Sequence, residues 1–211
     1  LDRTPPVETD GPPGAVAVAH TLAALGCERL VMLIEHHSEH ALRSCAEAPC
    51  AVSKVPRVVG FPSSDCWTSL DDARLADLAT KTAAVFCIER AGQSKDGTCY
   101  TMRGRPMGDA LVARELNRLV GAEGLLSVAV GDGGNELGLG SVYADVCAHV
   151  MHGAKIGCVV PADHLLVASV SNWGGYAISC ALSVLAWDVG LRPAAEAFSM
   201  GAPTPEHYLS A

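Results

Sequence analysis

Positive charge is scarce here: 15 Lys and Arg stand against 23 Asp and Glu over 211 residues, for a net charge of −8. No basic run exceeds close pairs such as Arg103 and Arg105, so neither nucleic acid nor an anionic membrane surface is an expected partner. No Cys-x-x-Cys pair occurs, which removes zinc knuckles and thioredoxin-type redox sites. The nine cysteines are odd in number, and several lie inside apolar runs such as AAVFCIE and KIGCVV; they read as buried thiols of a reducing compartment, not as a disulfide framework. There is no Gly-x-Ser-x-Gly elbow, and no cysteine has a spacing that marks a nucleophile. Neither a charged-then-apolar leader nor a run of about 20 apolar residues is visible, so no membrane span is expected. The chain starts at Leu1, as a fragment or a processed protein would.

What is present is a chain 49% hydrophobic and long enough to bury one good core, so one domain is expected over residues 1–190, with a poorly structured tail over 191–211. Pro12 and Pro13 open a helix that runs to Leu25 and stops at Gly26, the usual placement of proline and glycine. Strands are expected at 29–34, 57–60, 83–88, 125–130, 156–160 and 165–170, and further helices at 38–47, 70–81, 107–120, 142–151 and 173–189. Helices alternating with buried strands predict an α/β fold, a mainly parallel sheet flanked by helices in a Rossmann-like three-layer arrangement. Ligands in such sheets sit beyond the carboxyl ends of the strands. The polar stretches at 35–37, 61–63, 89–92, 131–136 and 171–173 are therefore expected to share one rim. Residues 90–105 are too long for an ordinary connection and read as a functional or mobile loop.

The glycine-rich segment GDGGNELGLG, residues 131–140, first suggests phosphate. A dinucleotide fingerprint, however, needs a glycine where Glu136 stands, and a Walker loop needs a lysine where Leu139 follows Gly138, so no nucleotide cofactor is expected. Asp132, Asn135 and Glu136 instead offer hard oxygen donors suited to magnesium, manganese or a substrate ammonium. A tight strand-to-helix turn capped by Asp132 or Asn135 remains the alternative. Glu8 and Asp10 precede the first helix, where capping and site use are equally good readings. Glu89 and Arg90 end a strand and Asp96 follows on the long loop; Arg90 either forks onto a substrate carboxylate or pairs with Glu89 or Asp96. Asn172 opens the last helix as an N-cap or as a pocket amide, with Trp173 beside it. HHSEH, residues 36–40, matches the H-x-x-E-H pattern of some zinc peptidases but lacks a third ligand.

Taken in order, ETDGPPGA, IERAG with DGTCYTMRG, GDGGNELGLG and SNWGGYA resemble the C-terminal domain family of D-glutamate cyclase and its stand-alone relatives, over residues 8–176. The resemblance implies an α/β fold, D-glutamate as a small-molecule substrate, and its conversion to 5-oxo-D-proline with loss of water. It implies a divalent cation in an acidic pocket, and a mitochondrial matrix location in an animal or a cytoplasmic one elsewhere. It also implies a short apolar strand before the first block and a segment after the last helix, neither of them legible in this chain. On the matching positions, Asp132 and Glu136, helped by Glu8 or Asp10, are expected to hold magnesium or manganese. Arg90 is expected to hold the α-carboxylate and Glu89 or Asp96 to take the ammonium proton, with Asn135 and Asn172 bonding the oxyanion. A homo-oligomer is left open. The rival readings are a metal-dependent phosphoester hydrolase using the same acids and a non-catalytic ligand-binding module.

Overall fold

Short apolar runs that cannot hold a strand alone pair in register in the computed structural model, which describes residues 9–47 and 56–191. β1 (Val31–Glu35) runs parallel to β2 (Arg57–Phe61), and β3 (Ala84–Ile88), β4 (Leu126–Gly131) and β5 (His164–Val167) form a second parallel sheet in that order. The fold is thus the expected α/β one, with its strands in two hydrogen-bonded pieces among the described residues. The helices are α1 (Pro12–Ala24), α2 (Glu39–Glu47), α3 (Ser69–Thr80), α4 (Tyr143–His149), α5 (Gly153–Ile156) and α6 (Ser171–Asp188).

Alternation along β2 shows how the layers form. Val58 packs with Val16 and Ala19 of α1, Met32 of β1, and Leu42 and Ala46 of α2. Val59 and Phe61 pack instead with Leu75 of α3 and with Ala113, Leu116 and Leu119. Helical cover therefore lies on both sides of the strand, and these clusters supply the burial that holds it. On the second sheet α6 packs against β3, β4 and β5. It also packs against α1, where a Cβ on Gly175 would lie 2.6 Å from Gly14 Cα. Glycines there let the two helix starts meet backbone to backbone.

Two expected elements are corrected by hydrogen bonds made elsewhere. The helix expected at 107–120 is only a 3-10 turn, Arg114–Leu119, because the backbone before it is already committed. The carbonyls of Asp109 and Val112 accept from Asp65 and Ser64, and the Ala113 N–H donates to Glu35 Oε1. The strand expected at 156–160 is replaced by α5 followed by extended chain. There Cys158 donates to the Gly134 carbonyl and Val159 to that of Gln93, while Gly138 and Gly140 donate to Val160. The long loop is not loose either: it closes on itself through bridges Gln93 to Cys99 and Tyr100 to Pro106, and Lys155 Nζ donates to the Gly104 carbonyl at 2.8 Å. The expected tail from 191 onward lies, but for Leu191, outside the described residues. Among those residues no helix is long and apolar enough to cross a membrane.

Candidate functional site

The site grows from two helix N-termini that cap each other. Asp10, just ahead of α1, accepts from the backbone N–H groups of Asn172 at 2.7 Å and Ser171 at 2.9 Å, at the start of α6. Asn172 returns the bond: its Oδ1 accepts from Gly11 at 3.0 Å and Gly14 at 2.9 Å, and its Nδ2 donates to the Thr9 carbonyl. Pro12 and Pro13 have no N–H, Trp173 donates to the Val170 carbonyl, and Ala15 to that of Gly11. Both helix starts are thereby satisfied from within the protein.

Onto this junction the sheet delivers two more acids, Glu89 just past β3 and Asp132 just past β4. Oxygen atoms of Asp10, Glu89 and Asp132 all lie within 4.8 Å of one another. Glu89 sits in the left-handed region with φ 54°, a conformation that costs a non-glycine residue about 1–3 kcal/mol and recurs at functional sites. Its Oε2 accepts from the Ser171 hydroxyl at 2.5 Å.

The three acids are held differently. Asp10 is fixed by its capping bonds. Asp132 is an exposed residue with no hydrogen bond to its carboxylate among the described residues. Loss of solvent around that carboxyl, and then the charge of Asp10, push its pKa above the ordinary aspartate value. It therefore accepts a proton more readily than an ordinary aspartate does.

The expected site residues divide accordingly. The structure brings together Asp10, Asp132 and Glu89, with Asn172 beneath them as a structural clasp. Glu8 lies outside the described residues. Glu136, expected as a metal ligand, is outside that group of three. It is buried, and its Oε2 accepts from Gly133 and Gly134, fixing the glycine-rich turn from inside. Burial raises its pKa despite those donors, and Asp132 adds to the rise. Gly138 completes the turn at φ 93°, where a Cβ would lie 2.3 Å from Ala129 Cβ, so part of the glycine content serves packing. Asn135 is buried and donates Nδ2 to the Tyr100 carbonyl at 2.8 Å, a structural use rather than an oxyanion bond. Asp96 is exposed on its loop, bonded by Tyr100 Oη at 2.6 Å, Thr98 N–H and Ser94 Oγ. Those donors, Tyr100 first, hold its pKa well below the usual carboxylate range and make it a poor base.

Arg90 is turned inward, away from its expected role as a carboxylate clamp. Its Nη1 pairs with Glu35 at 2.7 Å and its Nη2 donates to the Ala113 carbonyl at 2.8 Å, so both arms of the fork are engaged inside the protein. Burial pushes the Glu35 carboxyl up, but the Arg90 charge and the Ala113 N–H outweigh it and leave the pKa below the ordinary glutamate value. A depressed folded pKa contributes stability above the unfolded value of about 4.5 and loses it as pH falls through the folded value. Glu35→Gln should accordingly flatten the acid side of the stability curve below pH about 4.5, read as thermal midpoint against pH; a curve as steep as that of the unsubstituted protein would remove Glu35 from this role.

Glu35 and Ser171 were expected only as members of the polar rim stretches 35–37 and 171–173, with no role of their own. Glu35 was legible only as a polar residue ending a strand, and Ser171 only as the serine preceding a helix-opening asparagine. The expectation of buried thiols holds only in part: Cys87, Cys99 and Cys158 are free and buried, and burial pushes each up to about 11, whereas Cys27 and Cys66 are exposed. His36 and Glu39 of HHSEH are 3.4 Å apart, and Glu39 is taken by Arg43 at 2.6 Å.

The sequence signature of the family described as D-glutamate cyclase-like, C-terminal, matches residues 1–200. The chain belongs to that family. Consistently, it is 35% identical over 197 residues to the human protein named D-glutamate cyclase, mitochondrial, an alignment covering 88% of this chain and 31% of the relative. This D-glutamate cyclase-like domain thus spans about a third of the length of that relative.

Proposed function

We propose that this domain carries a D-glutamate cyclase site, and that Asp10, Glu89 and Asp132 form its cation-binding end. The observation that carries the reading is the meeting of these three carboxylates within 4.8 Å at two strand ends and two helix starts. Because the helix N–H donors there are already used, the pole offers an incoming phosphate none of the backbone groups that phosphate sites employ. That favours a positively charged guest over the phosphoester of the hydrolase reading. D-glutamate brings such a guest in its α-ammonium.

The reaction is C–N bond formation between the α-nitrogen and the γ-carboxyl carbon, with one γ-oxygen leaving as water. Two protons leave the ammonium nitrogen and two join the departing oxygen, so the sum is D-glutamate to 5-oxo-D-proline plus water. Ring closure is intramolecular, and the protein's task is charge control. Asp10 and Glu89, fixed by their hydrogen bonds, hold the ammonium. Asp132, with its raised pKa, takes its proton and exposes the nucleophilic nitrogen. Magnesium or manganese would be the alternative occupant of the same three hard-oxygen donors, in place of the ammonium, and would there supply a Lewis acid for the γ-carboxylate. By kinship with the named relative, a mitochondrial location is part of this proposal for an animal source.

Incubation of the full chain with D-glutamate, followed by chiral chromatography, should yield 5-oxo-D-proline, with less in the presence of a chelator. Absence of product from manganese-loaded protein would sink the cyclase reading. Product formation unaltered by chelator would remove the metal and leave the carboxylates alone in the role.

A further inference from the structure

Ser171 stands at a junction that the chemistry above leaves unused. Its side chain is wholly buried, and its two donors reach carboxylates on different elements. The backbone N–H goes to Asp10 Oδ2 at 2.9 Å and the hydroxyl to Glu89 Oε2 at 2.5 Å. Glu89 has left the β3 strand conformation at φ 54°, and the Gly11 backbone presses on it: a Cβ on Gly11 would lie 3.0 Å from Glu89 Cβ. One serine therefore spans the gap between the loop before α1 and the end of β3.

We infer that Ser171 is a positioning residue of this site, whose hydroxyl sets the Glu89 carboxylate against Asp10 and so fixes the spacing of the acids that receive a cation. The inference rests on the reading of the site given above. Its chemistry has a separable form, because the bond to Asp10 comes from the backbone and survives substitution. Ser171→Ala leaves α6 capped while removing the hydroxyl bond to Glu89. The loss of a partner that orients a ligating carboxylate amounts to about 10–100-fold in affinity or activity.

The test uses the full chain and two readouts, manganese affinity by calorimetry and cyclisation of D-glutamate. S171A should keep its thermal midpoint near that of the unsubstituted protein while manganese affinity and kcat fall about 10–100-fold. S171T, which restores the hydroxyl, should recover most of the loss if it folds. Independently of S171T, the double variant S171A/E89Q should be no worse than E89Q alone, since both remove one function. Full kcat and manganese affinity in S171A, or losses that simply add in the double variant, would overturn the inference while leaving the site reading intact. A fall in S171A matched by a large drop in thermal midpoint would make the residue merely structural and overturn it too. An unsubstituted chain that neither binds manganese nor forms product would overturn the site reading and this inference with it.

Discussion

Asp132→Asn should lower cyclisation of D-glutamate by about 10²–10⁴-fold, the usual contribution of a positioned general base, while leaving the protein at least as stable as before. The two halves of that expectation come from one fact. Partial loss of solvent around the carboxyl and the Asp10 charge disfavour the ionised Asp132 carboxylate. A folded pKa above the unfolded one means that the group contributes stability at low pH and loses it as pH rises through the folded value, so at neutral pH the charge opposes folding. An amide of the same shape removes that opposition and, with it, the proton acceptor. Product formation and thermal midpoint measured on one preparation check both halves. D132N with unchanged kcat would transfer the base to another residue; D132N that melts much lower would show Asp132 serving the fold.

Arg90→Met should be costly in the opposite sense, destabilising the protein by about 3–5 kcal/mol because Glu35 is left charged and buried without its partner. For a chain of this size that corresponds to a fall in melting temperature on the order of 10 °C. The Ala113 carbonyl loses a donor as well. Adding Glu35→Met should restore part of the loss, since the uncompensated charge is gone but the Ala113 N–H still lacks its acceptor. Melting curves of the two variants decide the matter. Unchanged stability of R90M together with a raised KM for D-glutamate would return Arg90 to the carboxylate clamp expected from the sequence.

These two arginine and aspartate positions show what was legible and why. Asp132 stood out because a carboxylate amid glycines after an apolar strand has few structural reasons to be there, and strand ends in parallel sheets are where ligands collect. Asp10 and Asn172 were each read as cap or site. They cap not their own helices but each other's, across more than 160 residues of chain, which no local pattern contains. Arg90 and Asp96 both read as candidate site residues of one polar segment, yet one is drawn inward by Glu35, 55 positions away, and the other is bonded by its own loop neighbours. Residues 107–120 carry helix-compatible residues, but the carbonyls and N–H that a helix would use are taken by Ser64, Asp65 and Glu35.

By itself, then, the sequence determined the alternation of helix and strand and the family. Both follow from local composition, periodicity and short motifs, which a chain carries before it folds. The tertiary structure decided which acids meet. Asp10, Glu89 and Asp132 come from three separate stretches, and packing brings an oxygen of each within 4.8 Å of the others. Distances between such stretches arise only when the helices and sheets pack.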